Sequence, residues 1–468
     1  MKKLILLFML GFTSCQHASP TQTPVPTISP TPILVYYVAP QGSDSNPGTQ
    51  SQPWKTIQKA ADTATSGKTV LVLAGDYSTQ QTNITRPGIT IQAQGEVTVK
   101  GFQISADHIT IKGFTIIDLD DNSVGIKVAS GGWCNIENNN FRFNTMGGLD
   151  FDGSPTNPSL THDCTVRNNI FYRNGQAGIT VRGQNHLIEG NDISYTIQQD
   201  PCNITYANES WLDSDGIDFY GSGHIFRKNI IHDISYGLDG YTQGTTCNLA
   251  NLSNLANDYE KDPHIDCFQT FGGNEVAGHD ILFEDNTCNL PSFSAQYGLA
   301  AKGLQVEGGA YNLTFRDNIV ISTLLARITD AHNVIIDNNT FVGLPNDPNS
   351  QGIYFYKTTQ ATVQNNIFAY QQNGVGSIFP DKPSAFTLNA SFNCVFRNGG
   401  NPWRPKDPGD VWGLNPLFVN EASGDYHLQD GSPCIDKGTD LGPSMDFDGI
   451  PRPQGAGYDM GAYEYRNP

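Results

Sequence analysis

Ile136-Glu137-Asn138-Asn139-Asn140-Phe141 is one instance of a pattern that recurs down the middle of this chain. An asparagine has a large apolar residue three places before it and an apolar residue or cysteine two places after. The asparagines are Asn139, Asn169, Asn191, Asn229, Asn286, Asn318, Asn339 and Asn366, separated by 30, 22, 38, 57, 32, 21 and 27 residues. A repeat of this size, built from strand-like units, specifies stacked coils in which each unit buries its apolar face against its neighbours. The asparagines then form an internal ladder, each amide bonded to the next.

Composition agrees. There are 48 glycines in 468 residues and only 16% charged residues, which suits short strands and many turns. The fold class expected is all-β: a parallel β-helix solenoid with a short N-terminal capping helix and an irregular C-terminal cap.

Residues 1–14 read as a signal peptide, with Lys2 and Lys3 before an apolar run from Leu4 to Phe12. Thr13-Ser14-Cys15 resembles a bacterial lipoprotein cleavage box, making Cys15 the candidate lipid-attachment residue. Phe12 departs from that box, so plain secretion stays open. Residues 15–33 form a Pro/Thr-rich tether, semi-rigid and extended. The β-helix is expected over 34–370 and the cap over 371–468. The protein is thus read as exported, either a bacterial cell-surface lipoprotein or secreted, touching a membrane only through its anchor, and as a monomer.

Without Lys2 and Lys3 the 27 basic residues fall to 25, against 46 acidic ones. That excess argues against a nucleic-acid partner. Eight cysteines beyond Cys15 permit disulfides in an exported chain. Cys134 and Cys164 stack on adjacent coils, Cys394 and Cys434 suit a staple for the C-terminal segment, and Cys202 and Cys247 each lie in a long insertion. Free buried thiols are the alternative for each pair.

Trp54 to Ala64 carries apolar residues at helical spacing and is expected to cap the open end. Tyr36-Tyr-Val-Ala-Pro-Gln-Gly-Ser-Asp-Ser-Asn-Pro-Gly48 and Pro53-Trp-Lys-Thr-Ile-Gln-Lys-Ala60 resemble the opening of bacterial right-handed parallel β-helix proteins, notably family 9 pectate lyases. The closing Tyr458-Asp-Met-Gly-Ala-Tyr-Glu464 is similar to the tail of many secreted β-helix proteins. The resemblance covers nearly the whole mature chain and implies a right-handed β-helix. It is weak for activity, because this fold hosts lyases, hydrolases, epimerases and binding modules.

With the asparagines as a ruler, the strands that precede them can be laid over one another. One column reads Gly147, Ala177, Asp215, Asp266, Lys302. The next reads Lys127, Asp150, Thr180, Asp218, Gln269, Gln305, Arg327, Tyr354. A third reads Asp152, Arg182, Tyr220, Phe271, Glu307, Thr329, Tyr356. Asp213 lies under His264. Alternation of apolar and polar residues predicts that these polar side chains face outward. The two longest repeats bracket the patch, and long insertions on one face of a solenoid mark its binding face.

Three chemistries suit this patch, all on a polysaccharide substrate. β-Elimination from a uronic acid needs a cation on the carboxylate and a base for the neighbouring proton. Asp213, Asp215, Asp218 and Asp266 are candidate calcium ligands. Lys302 is the candidate base with His264 as rival, and Arg327 assists. Asp150, Arg182, Tyr220, Gln269, Gln305 and Glu307 would contact substrate. The resemblance to family 9 lyases implies an acidic calcium cluster and a lysine base, though Lys302 lies two coils beyond Asp215. Tyr259-Glu-Lys-Asp262-Pro-His264 is similar to a string of secreted alginate C5-epimerases. Paired carboxylates on adjacent coils suit a glycoside hydrolase instead. A non-catalytic surface glycan-binding protein is a fourth reading.

Overall fold

A computed structural model describes residues 35–119, 123–154, 157, 159–196, 214–234, 265–273, 275–290, 301–344, 350–370, 386–396, 406–442 and 445–466. Residues Leu34–Pro468 make one compact unit. Cys15, Cys202, Asp213, Cys247 and His264, singled out from the sequence, lie outside the described residues.

The unit is a parallel β-helix. Each coil contributes three short strands, such as Ala177–Val181, Leu187–Glu189 and Asp192–Ser194. Each strand pairs in parallel with its counterparts on the coils before and after. We call the resulting faces sheets A, B and C. Phenylalanines fill the interior: Phe141, Phe171, Phe219, Phe226, Phe268 and Phe283 are all fully buried.

The asparagine ladder lies between sheets B and C and fixes the register. From Asn139 onward each side chain donates Nδ2 to Oδ1 of the next at 2.9–3.1 Å. The same Oδ1 accepts the backbone N–H of the previous asparagine, as Asn229 N to Asn286 Oδ1 at 3.0 Å. These amides are buried, so every bond replaces one that water would otherwise have to make. The residue before each of the eight asparagines turns the chain with a left-handed backbone: Asn138, Asn168, Gly190, Lys228, Asp285, Asp317, Asn338 and Asn365 have φ of 52–63°. Asparagine, aspartate and glycine tolerate that region best, which explains the Asn-Asn and Asp-Asn pairs in the repeat.

The ladder has a ninth member. Asn366 donates to Asn393 at 3.1 Å, and Asn393 N donates to Asp410 Oδ1 at 2.8 Å. The β-helix therefore does not end at 370. Strands Thr387–Ser391 and Cys394–Phe396 add a further coil, paired on Gln360–Gln364 and Ile367–Ala369. The sequence pattern missed it because Ala390 stands where the other repeats carry a large apolar residue.

A helix, Ile57–Thr63, closes the N-terminal end. It is shorter than the apolar spacing suggested, because Thr56 caps it by accepting from Lys59 N and Trp54 lies outside it. Trp54 instead stacks on Tyr36 at 4.8 Å in the first coil. At the other end Phe418, Tyr426, Leu428 and Met460 pack on Ile319, Val342 and Ile367 of sheet C. Arg452, buried, ties this cap to the coils through Asp317 at 2.7 Å while holding Glu464 at 2.8 Å.

Cys134–Cys164, stacked on adjacent coils, and Cys394–Cys434, which staples the C-terminal segment, are disulfides rather than free thiols. Cys267–Cys288 is a third, which the sequence left unpaired. No described helix is long and apolar enough to cross a membrane.

Candidate active site

Sheet A carries the candidate site, and the columns read from the sequence are in register. Ala177 pairs with Asp215, Asp215 with Asp266 and Asp266 with Lys302. In the next column Lys127, Asp150, Thr180, Asp218, Gln269, Gln305, Arg327 and Tyr354 follow coil by coil.

Burial departs from expectation. Asp215 and Asp266 are fully buried and Lys302 is 6% exposed, so the first column is not an exposed surface row. Strict alternation also fails here, for a local reason. An added Cβ on Gly216 would run into Ile231, and one on Gly303 into Val320, so both positions face the core. Ile217 and Leu304, the next residues, are buried core residues as well. Two successive inward positions leave Asp215 and Asp218 on the same side of their strand although they are three apart.

Cys267 occupies the same position on the intervening coil. Cys288 stands where the neighbouring coils have Ile231 and Val320. The disulfide thus replaces a Gly/Ile and a Gly/Val contact, and it pins the strand on which Asp266 sits. The signal was present in the sequence: Cys267 aligns with Gly216 and Gly303, and Cys288 with Ile231 and Val320.

Within the column, Lys302 Nζ lies 3.3 Å from Asp266 Oδ1. Asp215 Oδ1 accepts the backbone N–H of Asp266 at 3.1 Å. Stacked buried carboxylates need a compensating cation, and Lys302 supplies one. Among the described residues no three His, Cys, Asp or Glu side chains converge as a metal site. Asp213, the fourth carboxylate expected to hold calcium, lies outside the described residues, and Lys302 Nζ stands against Asp266.

Beside the column, Gln269 and Gln305 are buried. Gln305 Nε2 donates to Glu307 Oε1 at 2.5 Å, while its carbonyl oxygen is buried without a hydrogen-bond partner among the described residues. Arg327 Nη1 stands 3.8 Å from Glu307 with its side chain 38% exposed, a loose contact that leaves the guanidinium accessible.

Asp150, Arg182 and Tyr220 form a separate closed network. Arg182 bonds Asp150 at 2.6 Å and Glu275 at 3.0 Å and lies 5.2 Å over the Tyr220 ring. Lys127 bonds Asp150 and Asp152 at 3.0 and 3.1 Å. Burial works against the charge of Arg182, but Asp150 and Glu275 hold its pKa above the ordinary value. Burial, reinforced by the Asp218 carboxylate, raises the Tyr220 phenol far above its usual range, so it stays protonated. These groups satisfy one another and frame the site on its N-terminal side. Glu275 was not anticipated from the sequence, since it lies beyond the strand that carries the columns.

Residues 161–402 match the family described as right handed beta helix region. Residues 36–254 match the Pel9A-like, right handed beta helix region. No curated protein matches the chain. Among solved structures, pectate lyase Pel9A is 14% identical with a TM-score of 0.49, covering 92% of this chain and 96% of that one. A rhamnogalacturonan lyase is 15% identical with a TM-score of 0.42, covering 83% and 91%. An alginate lyase from Paenibacillus sp. is 13% identical with a TM-score of 0.38, covering 64% and 92%. The register, the ladder and the match over 161–402 agree: the chain belongs to the right-handed β-helix family.

Proposed function

We propose that this protein is an exported, carbohydrate-active enzyme that cleaves a uronic-acid-containing polysaccharide by β-elimination. The observation that carries the reading is the buried contact of Lys302 with Asp266, in register with Asp215. Three disulfides among the described residues fit an oxidising, extracytoplasmic compartment. A lipid anchor at Cys15 is part of the proposal.

In this reading the Lys302 ammonium first gives up a proton to solvent, and the amine so formed takes the proton from the sugar carbon next to the carboxylate. The electron pair left behind forms the carbon–carbon double bond, and the bond to the leaving glycosidic oxygen breaks, that oxygen then taking a proton from water. Asp266, 3.3 Å away, orients the amine and stabilises the ammonium once the proton has moved. Arg327 neutralises the substrate carboxylate, which acidifies the proton to be removed. Calcium would require Asp213 alongside Asp215 and Asp218, and no step above is routed through it.

One observation favours a second reading. Asp215 and Asp266 are register partners on adjacent strands, about 4.8 Å apart along the axis, and closely paired carboxylates suit a retaining glycosidase. Incubation with polyuronates and with neutral polysaccharides, with calcium and with chelator, separates the two. Unsaturated-product absorbance supports elimination, and its loss with chelator supports calcium. New reducing ends without absorbance mean hydrolysis. Polymer NMR that reveals inverted sugars without cleavage means epimerisation. No reaction with any polymer overturns the enzymatic reading.

A further inference from the structure

Far from Lys302, the outer side of sheet C carries a row of rings. Phe143, Tyr172, Tyr195 and His232 lie on four successive coils with centroids 5.9, 5.4 and 6.5 Å apart. Phe143 is 38% and Tyr195 41% exposed. Both have left-handed backbones, φ 58° and 54°. For a residue other than glycine that region costs roughly 1–2 kcal/mol, and asparagine or aspartate would occupy it more cheaply. Asp233 does so one coil on, with φ 54°. Two large rings therefore stand at solvent-facing turns, outside the buried core.

Cations accompany the rings. Arg142 Cζ lies 5.6 Å from the Phe143 centroid and 5.3 Å from that of Tyr172. Arg173 shares the turn column of Phe143 and Tyr195. His232, bonded to Asp192 at 3.2 Å and Asp233 at 2.6 Å, has its pKa pushed up to about 9, chiefly by the Asp192 bond, so it is charged at neutral pH. Among the described residues of the strip the cations Arg142, Arg173 and His232 stand beside the acids Asp192 and Asp233, on a chain of net charge −19. Alongside it Ile170 and Ile230 are each 48% exposed. They continue the column that at Ile319 and Ile367 is buried under the C-terminal segment.

We infer that this strip, from Arg142 and Phe143 to His232, is a second binding surface, separate from the candidate active site, for an acidic polysaccharide. The rings are spaced one per coil, about 4.8 Å along the axis, close to the length of one pyranose residue. Aromatic faces pack against the C–H faces of sugars, and guanidinium groups pair with carboxylates in fixed geometry. The polysaccharide reading above supplies only the class of ligand. Binding here is independent of turnover, so either idea can fail alone.

The test is affinity electrophoresis of the full chain through gels containing polygalacturonate, alginate or a neutral glucan. Phe143→Asn and Tyr195→Asn remove the rings while installing a residue suited to the left-handed turn, so the fold is retained, and an unchanged melting temperature checks this. The parent is expected to be retarded by at least one acidic polymer and not by the glucan. The double variant should bind that polymer at least fivefold more weakly, and Arg142→Gln should also weaken it. A double variant retarded like the parent, or a parent retarded by no acidic polymer, overturns the proposal. So does a parent that sediments as a dimer which the variant dissociates, since the strip would then belong to a second copy.

Discussion

Lys302 Nζ contacts Asp266 Oδ1 at 3.3 Å, and both side chains are buried on neighbouring coils of sheet A. A buried ion pair contributes little net stability when intact, but removal of one partner strands the other charge, at a cost of about 3–5 kcal/mol. Asp266→Ala and Lys302→Met should each lower stability by that order in denaturant unfolding. The double variant should recover much of the loss. Neither the single variants nor the double should retain activity, because the site needs the proton-transfer group and its orienting carboxylate together. A Lys302→Met variant with full turnover would remove lysine from the mechanism.

The Cys267–Cys288 disulfide should be replaceable by the pair its neighbours use. Cys267→Gly with Cys288→Val copies the Gly303/Val320 arrangement and should fold without strain. It loses only the cross-link, which for a loop of 21 residues is worth about 3 kcal/mol in the chain-entropy picture. Cys288→Ile alone keeps the Cys267 Cβ opposite a branched side chain, where Gly216 avoids a clash with Ile231, and should be less stable than the double variant. Thermal unfolding of the two variants decides the order.

The asparagine ladder makes a sharper demand. Asn229 donates to Ile188 O at 2.9 Å and to Asn286 Oδ1 at 3.0 Å, and its own Oδ1 accepts both N and Nδ2 of Asn191. Asn229→Ala leaves several buried groups unpaired, at about 1–3 kcal/mol each. Asn229→Asp keeps the acceptor but turns an oxygen toward two other oxygens, so it should be no better. Both variants should unfold well below the parent in urea, and a variant that matches the parent would mean that the amides hydrogen-bond elsewhere.

What could be read from the chain follows from what repeats. The ladder asparagines recur with their apolar flanks, so the register of the eight coils they mark was legible, and with it the columns that align Asp215, Asp266 and Lys302; the coil of Asn393, flanked by Ala390, was not. Burial was not, because alternation was assumed where Gly216, Cys267 and Gly303 put two successive positions into the core. The Arg182–Glu275 pair was invisible because it spans 93 residues and joins a strand to a turn. An alternating column on sheet B, Lys112, Glu137, Arg167, Glu189, Arg227, Glu284, Arg316, Asp337, also went unnoticed. Its members read as ordinary surface charges until register brings opposite signs side by side.

The C-terminal cap should respond to pH. Arg452 holds it to Asp317, around which carboxylates crowd. Burial, and then Glu284, push the Asp285 pKa up to about 7; burial raises that of Asp337 to about 6; and burial outweighs Arg452 in raising that of Asp317. A carboxyl whose folded pKa is raised binds its proton more tightly in the folded state. Its contribution is full below the unfolded value near 3.9 and is lost as pH rises through the folded value. Between about pH 5 and 8 the cap should therefore loosen as pH rises. Below about pH 4 the trend is reversed by groups with lowered pKa, such as Glu137 and Asp44, which lose stability on protonation. Scanning calorimetry should find a higher melting temperature at pH 5.5 than at pH 8. Asp285→Asn should reduce that difference by raising the value at pH 8, since asparagine is neutral and already occupies the equivalent turn at Asn138, Asn168, Asn338 and Asn365. If the variant shows the same difference as the parent, Asp285 is not the group that titrates, and the crowded carboxylates around Arg452 do not govern how the cap is held.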